Sequence, residues 1–240
     1  MKLEMQKEEK ITIHNLFWYF VIFSVIGIII ETAYCYITTG VLESRKGLIW
    51  GPFCPVYGIS AVIATIFLNK YKNENILKLF VYGFVTGSIA EYILSYILEA
   101  IYGMRFWDYS YTTFHINGRI CLQFSFYWGI LSVILIKWIN PLLNKLIAKI
   151  PTKPRNIIEI ILLIFFIINA FFTMWGIQTY ENRVVNGIEN EQETSNIFET
   201  YKQKIENEYF TNERISIIFP NIRTIDEEGR EVWVKTLIEN

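Results

Sequence analysis

Three glutamates stand inside runs that are otherwise apolar: Glu31, Glu91 and Glu99. Basic residues and one aspartate stand just beyond those runs: Arg45, Arg105, Asp108 and Arg119. A charged side chain at membrane depth costs about 2.5–3.5 kcal/mol on insertion scales, so it is kept where it meets a partner or a ligand. Such a set can hold a polar or charged solute between carboxylates and guanidiniums. It can equally pair with itself, as an ion-pair network that fixes packing and moves nothing. A third chemistry uses Glu91 or Asp108 as a general base on a lipid substrate. The residues alone leave all three open.

The elements that must position these groups are long apolar helices. The 240 residues are 52% hydrophobic and 17% aromatic, and only 19% are charged. About 20 apolar residues cross a bilayer as a helix. Five stretches qualify: Leu16–Ile37, Gly51–Leu68, Leu77–Ile101, Ile120–Ile139 and Ile157–Ile177. Five such runs leave too little amphipathic surface to clothe a soluble core. Trp18, Trp50, Trp107, Trp138 and Trp175 fall near span ends, as interfacial tryptophans do. The expected fold is an all-α, five-span transmembrane bundle with a small soluble α+β tail. Glu31 and Glu91 each lie two-thirds along spans of the same direction, hence at similar depth, with Glu99 nearer the end.

Charge sets the orientation. Lys2, Lys7 and Lys10 precede the first span; Lys70, Lys72 and Lys78 surround the second loop; Lys145, Lys149, Lys153 and Arg155 fill the fourth. The first loop has only Arg45 and Lys46, the third only Arg105 and Arg119. The positive-inside bias puts the N-terminus in the cytoplasm and loops one and three outside. The expected division is a cytoplasmic segment 1–14, a bundle over 15–179 and an external acidic tail over 180–240. Residues 1–179 carry 15 basic and 10 acidic side chains, the tail 7 and 13. In the tail, NIFETYKQKIENEYF reads as a helix with a capping box at Asn196 and Glu199. ISIIF and RTIDEEGREVWVKTLI, with a turn at Glu228-Gly229, read as a β-hairpin or meander. A segment this small holds no firm core of its own, so it should pack on the bundle or on a partner.

The entrance to the second run, GLIWGPFCPVYG, contains Gly47, Gly51, Pro52, Cys54, Pro55 and Gly58. Prolines are tolerated in a first helical turn, and glycines permit a tight turn or close backbone approach. The stretch is either a well-capped helix start or an unwound segment lining a cavity, since irregular backbone survives at membrane depth only inside protein or beside water. Span three carries Gly83, Gly87, Glu91, Ser95 and Glu99 at intervals of four, and span one Gly27, Glu31 and Cys35. These ridges lead us to expect spans one and three to pack closely below and open into a polar site above. Trp107 suits the interface, and Asn117-Gly118 is a strong turn signal. Cys54 and Cys121 each fall just inside an outer span end, where a disulfide or two packed thiols are both compatible with the spacing.

Four motifs in order carry a resemblance: RKGLIWGPFCPVYG, EYILSYILE, RFWDYS and INGRICLQFSFYWG. Over residues 16–150 the chain resembles the ABC-transporter type IV (CmpB-like) membrane-protein family of bacteria. The resemblance implies a multi-pass protein of the bacterial cytoplasmic membrane that acts as a permease subunit.

The chain has no G-x-x-x-x-G-K-[ST] phosphate loop, so ATP hydrolysis would come from a separate subunit. The cytoplasmic stretch LLNKLIAKIPTKPRN would dock it or merely anchor the bundle by its charge. No H-E-x-x-H or other metal spacing and no G-x-S-x-G elbow occurs, and no cofactor is expected. A net charge of -1 gives no field for nucleic acid. Expected partners are the lipid bilayer, a separate ATPase and further copies of the chain. Besides a permease, a membrane enzyme acting on lipid and a non-transporting scaffold whose tail binds a partner fit the same features.

Overall fold

The computed structural model describes residues 11–185, 187, 197–225 and 231–237. Helix α1 (Ile13–Thr39) starts at Thr12, whose side chain caps Asn15 while Asn15 caps back, and stops at Gly40. Helix α2 (Pro55–Leu68) has Pro55 in its first turn and runs on into one 3₁₀ turn, Asn69–Tyr71. Helix α3 (Ile76–Tyr102) is capped by Asn75 and ends at Gly103. A two-residue hairpin, β1 (His115–Ile116) and β2 (Ile120–Cys121), leads into α4 (Leu122–Ile134). Residues Leu135–Ile139 form a π turn, and α5 (Asn140–Ile147) continues the same rod. Helix α6 (Thr152–Val184) is the longest. Beyond it lie α7 (Ile197–Tyr209), α8 (Asn212–Ile218), and the antiparallel pair β3 (Arg223–Ile225) and β4 (Glu231–Trp233).

Four helical rods are long and apolar enough to cross a membrane: Ile13–Thr39, Ile76–Tyr102, Leu122–Ile147 and Thr152–Val184. The second expected span is a different object. Its helix has only 14 residues, because Gly47–Cys54 is irregular backbone. The π turn has a sequence cause. Pro141 has no N–H to give, and the Asn140 N–H bonds back to Leu135 O, five residues earlier. The rod therefore carries on to Ile147, so the first half of the supposed fourth loop is helix.

The helices alternate in direction. Near one end Leu68, Leu79 and Ile136 share a core. There Lys137 Nζ donates to the carbonyls of Lys72 and Glu74, each at 2.6 Å. At this same end Tyr19 donates to Asn144, and Glu159 of α6 receives Trp18 Nε1 at 2.8 Å and meets His14 at 2.5 Å. At the other end Glu31 of α1 and Glu91 of α3 line one cavity. So α1 and α3 point the same way.

Their pairing departs from expectation. Gly27 faces the Tyr57 ring and Gly58 faces Phe20 and Ser24, which joins α1 to α2. Gly83 faces Ser132 and Gly87 faces Trp128, which joins α3 to α4. The glycine ridges thus join each helix to the next one in sequence rather than α1 to α3. Such a ridge fixes which face comes close, not which helix receives it.

The tail segment shares a core with the bundle. Ile49, Met104, Ile177 and Tyr180 pack with Phe210, Ile215, Phe219, Ile222 and Val234. ISIIF is helical, not a strand: Thr211 caps α8, and Ile215 and Phe219, four apart, both face this core. The hairpin of β3 and β4 is present. Its expected turn at Glu228-Gly229 and the capping residue Asn196 lie outside the described residues.

Candidate functional site

The site is built around the irregular entrance to α2. Gly51 takes φ +73°, a left-handed conformation that glycine reaches without a Cβ penalty. The backbone groups this irregularity frees are taken up by neighbours. Gly47 N–H bonds Phe53 O at 2.9 Å, and Cys54 N–H bonds Ser24 O at 2.9 Å. Asn169 of α6 accepts from Trp50 N–H at 3.2 Å and donates to Trp50 O at 2.7 Å, while Thr173 Oγ1 accepts from Ile49 N–H at 3.1 Å. Asn169 and Thr173 are fully buried. Two polar residues in an apolar helix thereby satisfy backbone that a bilayer would leave orphaned. Sequence reasoning passed over both, although an asparagine within Ile157–Ile177 was the available signal.

Behind this entrance is a cavity of about 280 Å³. Glu31, Arg45, Cys54, Tyr57, Glu91 and Trp107 line it, and so do Tyr109 and Trp128. Phe219–Ile222 of the tail segment complete its wall. Glu31 accepts a hydrogen bond from Tyr57 and has Arg45 Nη1 at 4.0 Å. Arg45 also reaches Cys35 Sγ at 2.6 Å and Glu43 at 3.5 Å. Glu91 is 6% exposed. Tyr109 donates to its Oε1 at 2.8 Å and Trp128 Nε1 to its Oε2 at 2.9 Å. Among the described residues no cation lies within 4 Å of it. In place of an arginine partner it has a phenol and an indole. Burial first, then the Glu91 carboxylate, push the Tyr109 phenol well above its ordinary range, so it stays a proton donor.

The remaining charges form a separate cluster at the rim. Glu99 receives Arg105 Nε at 2.9 Å and Arg119 Nη2 at 2.6 Å. Arg119 is buried, donates to Ser95 at 3.1 Å and lies over the rings of Tyr92 and Tyr96. Asp108 is buried and accepts from the Ser110 N–H and hydroxyl, with Arg223 Nη1 at 3.2 Å and Arg105 Nη1 at 3.7 Å. Asn117 and Gly118 take φ of 51° and 68°, which closes the β1–β2 hairpin with a mirror-image turn. That turn brings Gly118 O to Tyr109 N–H at 2.7 Å and Arg119 O to Trp107 Nε1 at 3.1 Å. The hairpin therefore aims Tyr109 at Glu91. Pro52 is exposed at the entrance, and Gly58 sits where α2 touches α1. Cys35, Cys54 and Cys121 are free, buried thiols, so Cys54 and Cys121 are packed rather than bridged. No three His, Cys, Asp or Glu side chains converge as a metal site among the described residues.

Chemically, the inner group offers carboxylates and aromatic hydrogen-bond donors around a void, while the rim group pairs with itself. Comparisons with curated proteins and with solved structures return no match. A family model described as "Putative ABC-transporter type IV" matches residues 18–174, which take in both carboxylates, the entrance and the rim hairpin. The chain is a multi-pass membrane protein and belongs to that family.

Proposed function

We propose that this chain is the permease subunit of a transport system of the bacterial cytoplasmic membrane, and that the cavity at Glu31 and Glu91 is its solute site. The observation that carries this reading is the void itself, with an unwound helix entrance on one side and, on the other, a buried carboxylate that meets no cation among the described residues. A purely structural network would close on itself, as the Glu99 rim does. Five crossings fit the directions of the helices: with α1 and α3 parallel, α2 and its entrance have to return the chain between them. Loops one and three meet the tail segment, through Lys235 to Glu43 at 3.1 Å and Arg223 to Asp108. Lys70, Lys72, Lys145 and Lys149 stand at the opposite end, which supports a cytoplasmic N-terminus and an external tail.

ATP binding would come from a second chain, docked near α5 and the Ala148–Pro151 link. The test is affinity purification from bacterial membranes in mild detergent, followed by reconstitution. A stoichiometric ATPase chain whose hydrolysis rises several-fold with this subunit supports the permease reading. Lipid turnover by the purified chain alone would favour the enzyme instead, and a partner lost only when the tail is cut would favour the scaffold.

A further inference from the structure

The lining of the cavity also selects among solutes, an inference that rests on the reading of this void as a solute site. We propose that it accepts an organic cation with an apolar, quaternary-ammonium-like body, and that Glu91 is its counter-ion. Glu91 holds two hydrogen bonds, from Tyr109 and Trp128, out of about four acceptor positions on a carboxylate. A carboxylate kept at membrane depth is normally balanced by a positive charge. Of the cations that line the void, Arg45 is shared by Glu31, Glu43 and Cys35, Lys46 is exposed to solvent, and neither comes within 4 Å of Glu91. Arg119 and Arg105 hold Glu99.

Among apolar neighbours the wall also carries Tyr57, Trp107, Tyr109 and Trp128. Indole and phenol faces attract a desolvated cation, and such surroundings suit quaternary ammonium groups. A neutral apolar solute would leave the Glu91 carboxylate without a counter-charge at membrane depth. An anion would meet Glu91 directly. The volume suits a ligand of about ten to fifteen heavy atoms, at the small end of known solute pockets.

The test is equilibrium binding to the purified full chain, read by quenching of tryptophan fluorescence and by calorimetry. The probes are benzyltrimethylammonium, neutral benzyl alcohol and anionic phenylacetate. Saturable binding is expected for the cation, at least about tenfold tighter than for either control, and Glu91→Gln should weaken it by at least about tenfold. Equal binding of the three probes, no saturation by the cation at millimolar concentration, or a correctly folded Glu91→Gln protein that binds unchanged would each overturn the proposal. The probe comparison needs only the native chain, so it decides even if Glu91→Gln fails to fold. Flux in reconstituted vesicles without cation binding sinks the ligand class alone. Cation binding by a chain that never supports flux sinks the permease reading alone.

Discussion

Asp108 and Glu91 sit about one helix-and-turn apart in the chain, yet they have opposite fates. Asp108 is saturated by Ser110, Arg105 and Arg223. Asp108→Asn should therefore act on stability, since it removes one charged partner of Arg223. The loss should fall below the roughly 3–5 kcal/mol of a fully buried pair, because Arg223 keeps some solvent access, and it would appear as a lower unfolding temperature in detergent. A second outcome concerns Tyr109. Its phenol in the unfolded chain ionises near pH 10, while in the folded protein burial and Glu91 hold it protonated. The folded state thus keeps a proton that the unfolded state loses, and stability falls as pH rises above about 10. Tyr109→Phe should blunt that alkaline loss in a pH series of thermal melts; an unchanged slope would show that this phenol does not contribute. The acids were legible because a glutamate in an apolar run is conspicuous. Their partners were not, since a tyrosine that donates to a carboxylate and one that sits at an interface look alike in sequence.

Among the helices, the closest approaches are made by glycines, and Gly87 is the one that bears on the site. A Cβ there would lie 2.7 Å from Trp128 Cγ. Gly87→Ala should displace the indole that donates to Glu91. We expect a cost of about 1–3 kcal/mol from overpacking, together with a shifted tryptophan emission; a native spectrum at native stability would mean that the ring has slack. The existence of these helices was plain from hydropathy, and the spacing of glycines every four residues marked the faces that pack. Which helix packs on which was hidden, because a small-residue ridge accepts any complementary neighbour. The shortness of α2 was foreshadowed by Gly51, Pro52 and Pro55. What holds the unwound part in place is Asn169 and Thr173, more than a hundred residues away in the chain.

At the scale of the molecule, the Lys and Arg bias makes a topology prediction that chemical labelling can check. Tyr111 is 75% exposed in loop three, and Lys149 is exposed at the opposite end. With all three native cysteines buried, background labelling should be low. On intact cells, a membrane-impermeant maleimide should modify Tyr111→Cys and spare Lys149→Cys until the cells are opened. The reverse pattern would invert the assignment. The tail's role in the wall of the cavity was beyond the sequence. The wall residues Phe219–Ile222 lie in the link between α8 and β3, where no periodicity marks a face.

That shared core also sets an order on how the protein is made. Ile49, Met104 and Ile177 belong to segments that enter the bilayer early, whereas Phe210–Val234 leave the ribosome after all of them. During synthesis the apolar mouth of the bundle therefore stays uncovered until the late segment arrives. Over that interval the newborn chain depends on the insertion machinery, or on a chaperone, to shield the opening from other hydrophobic chains. A chain truncated between residues 185 and 210 would be a bundle with its mouth open, a natural target for quality-control proteolysis.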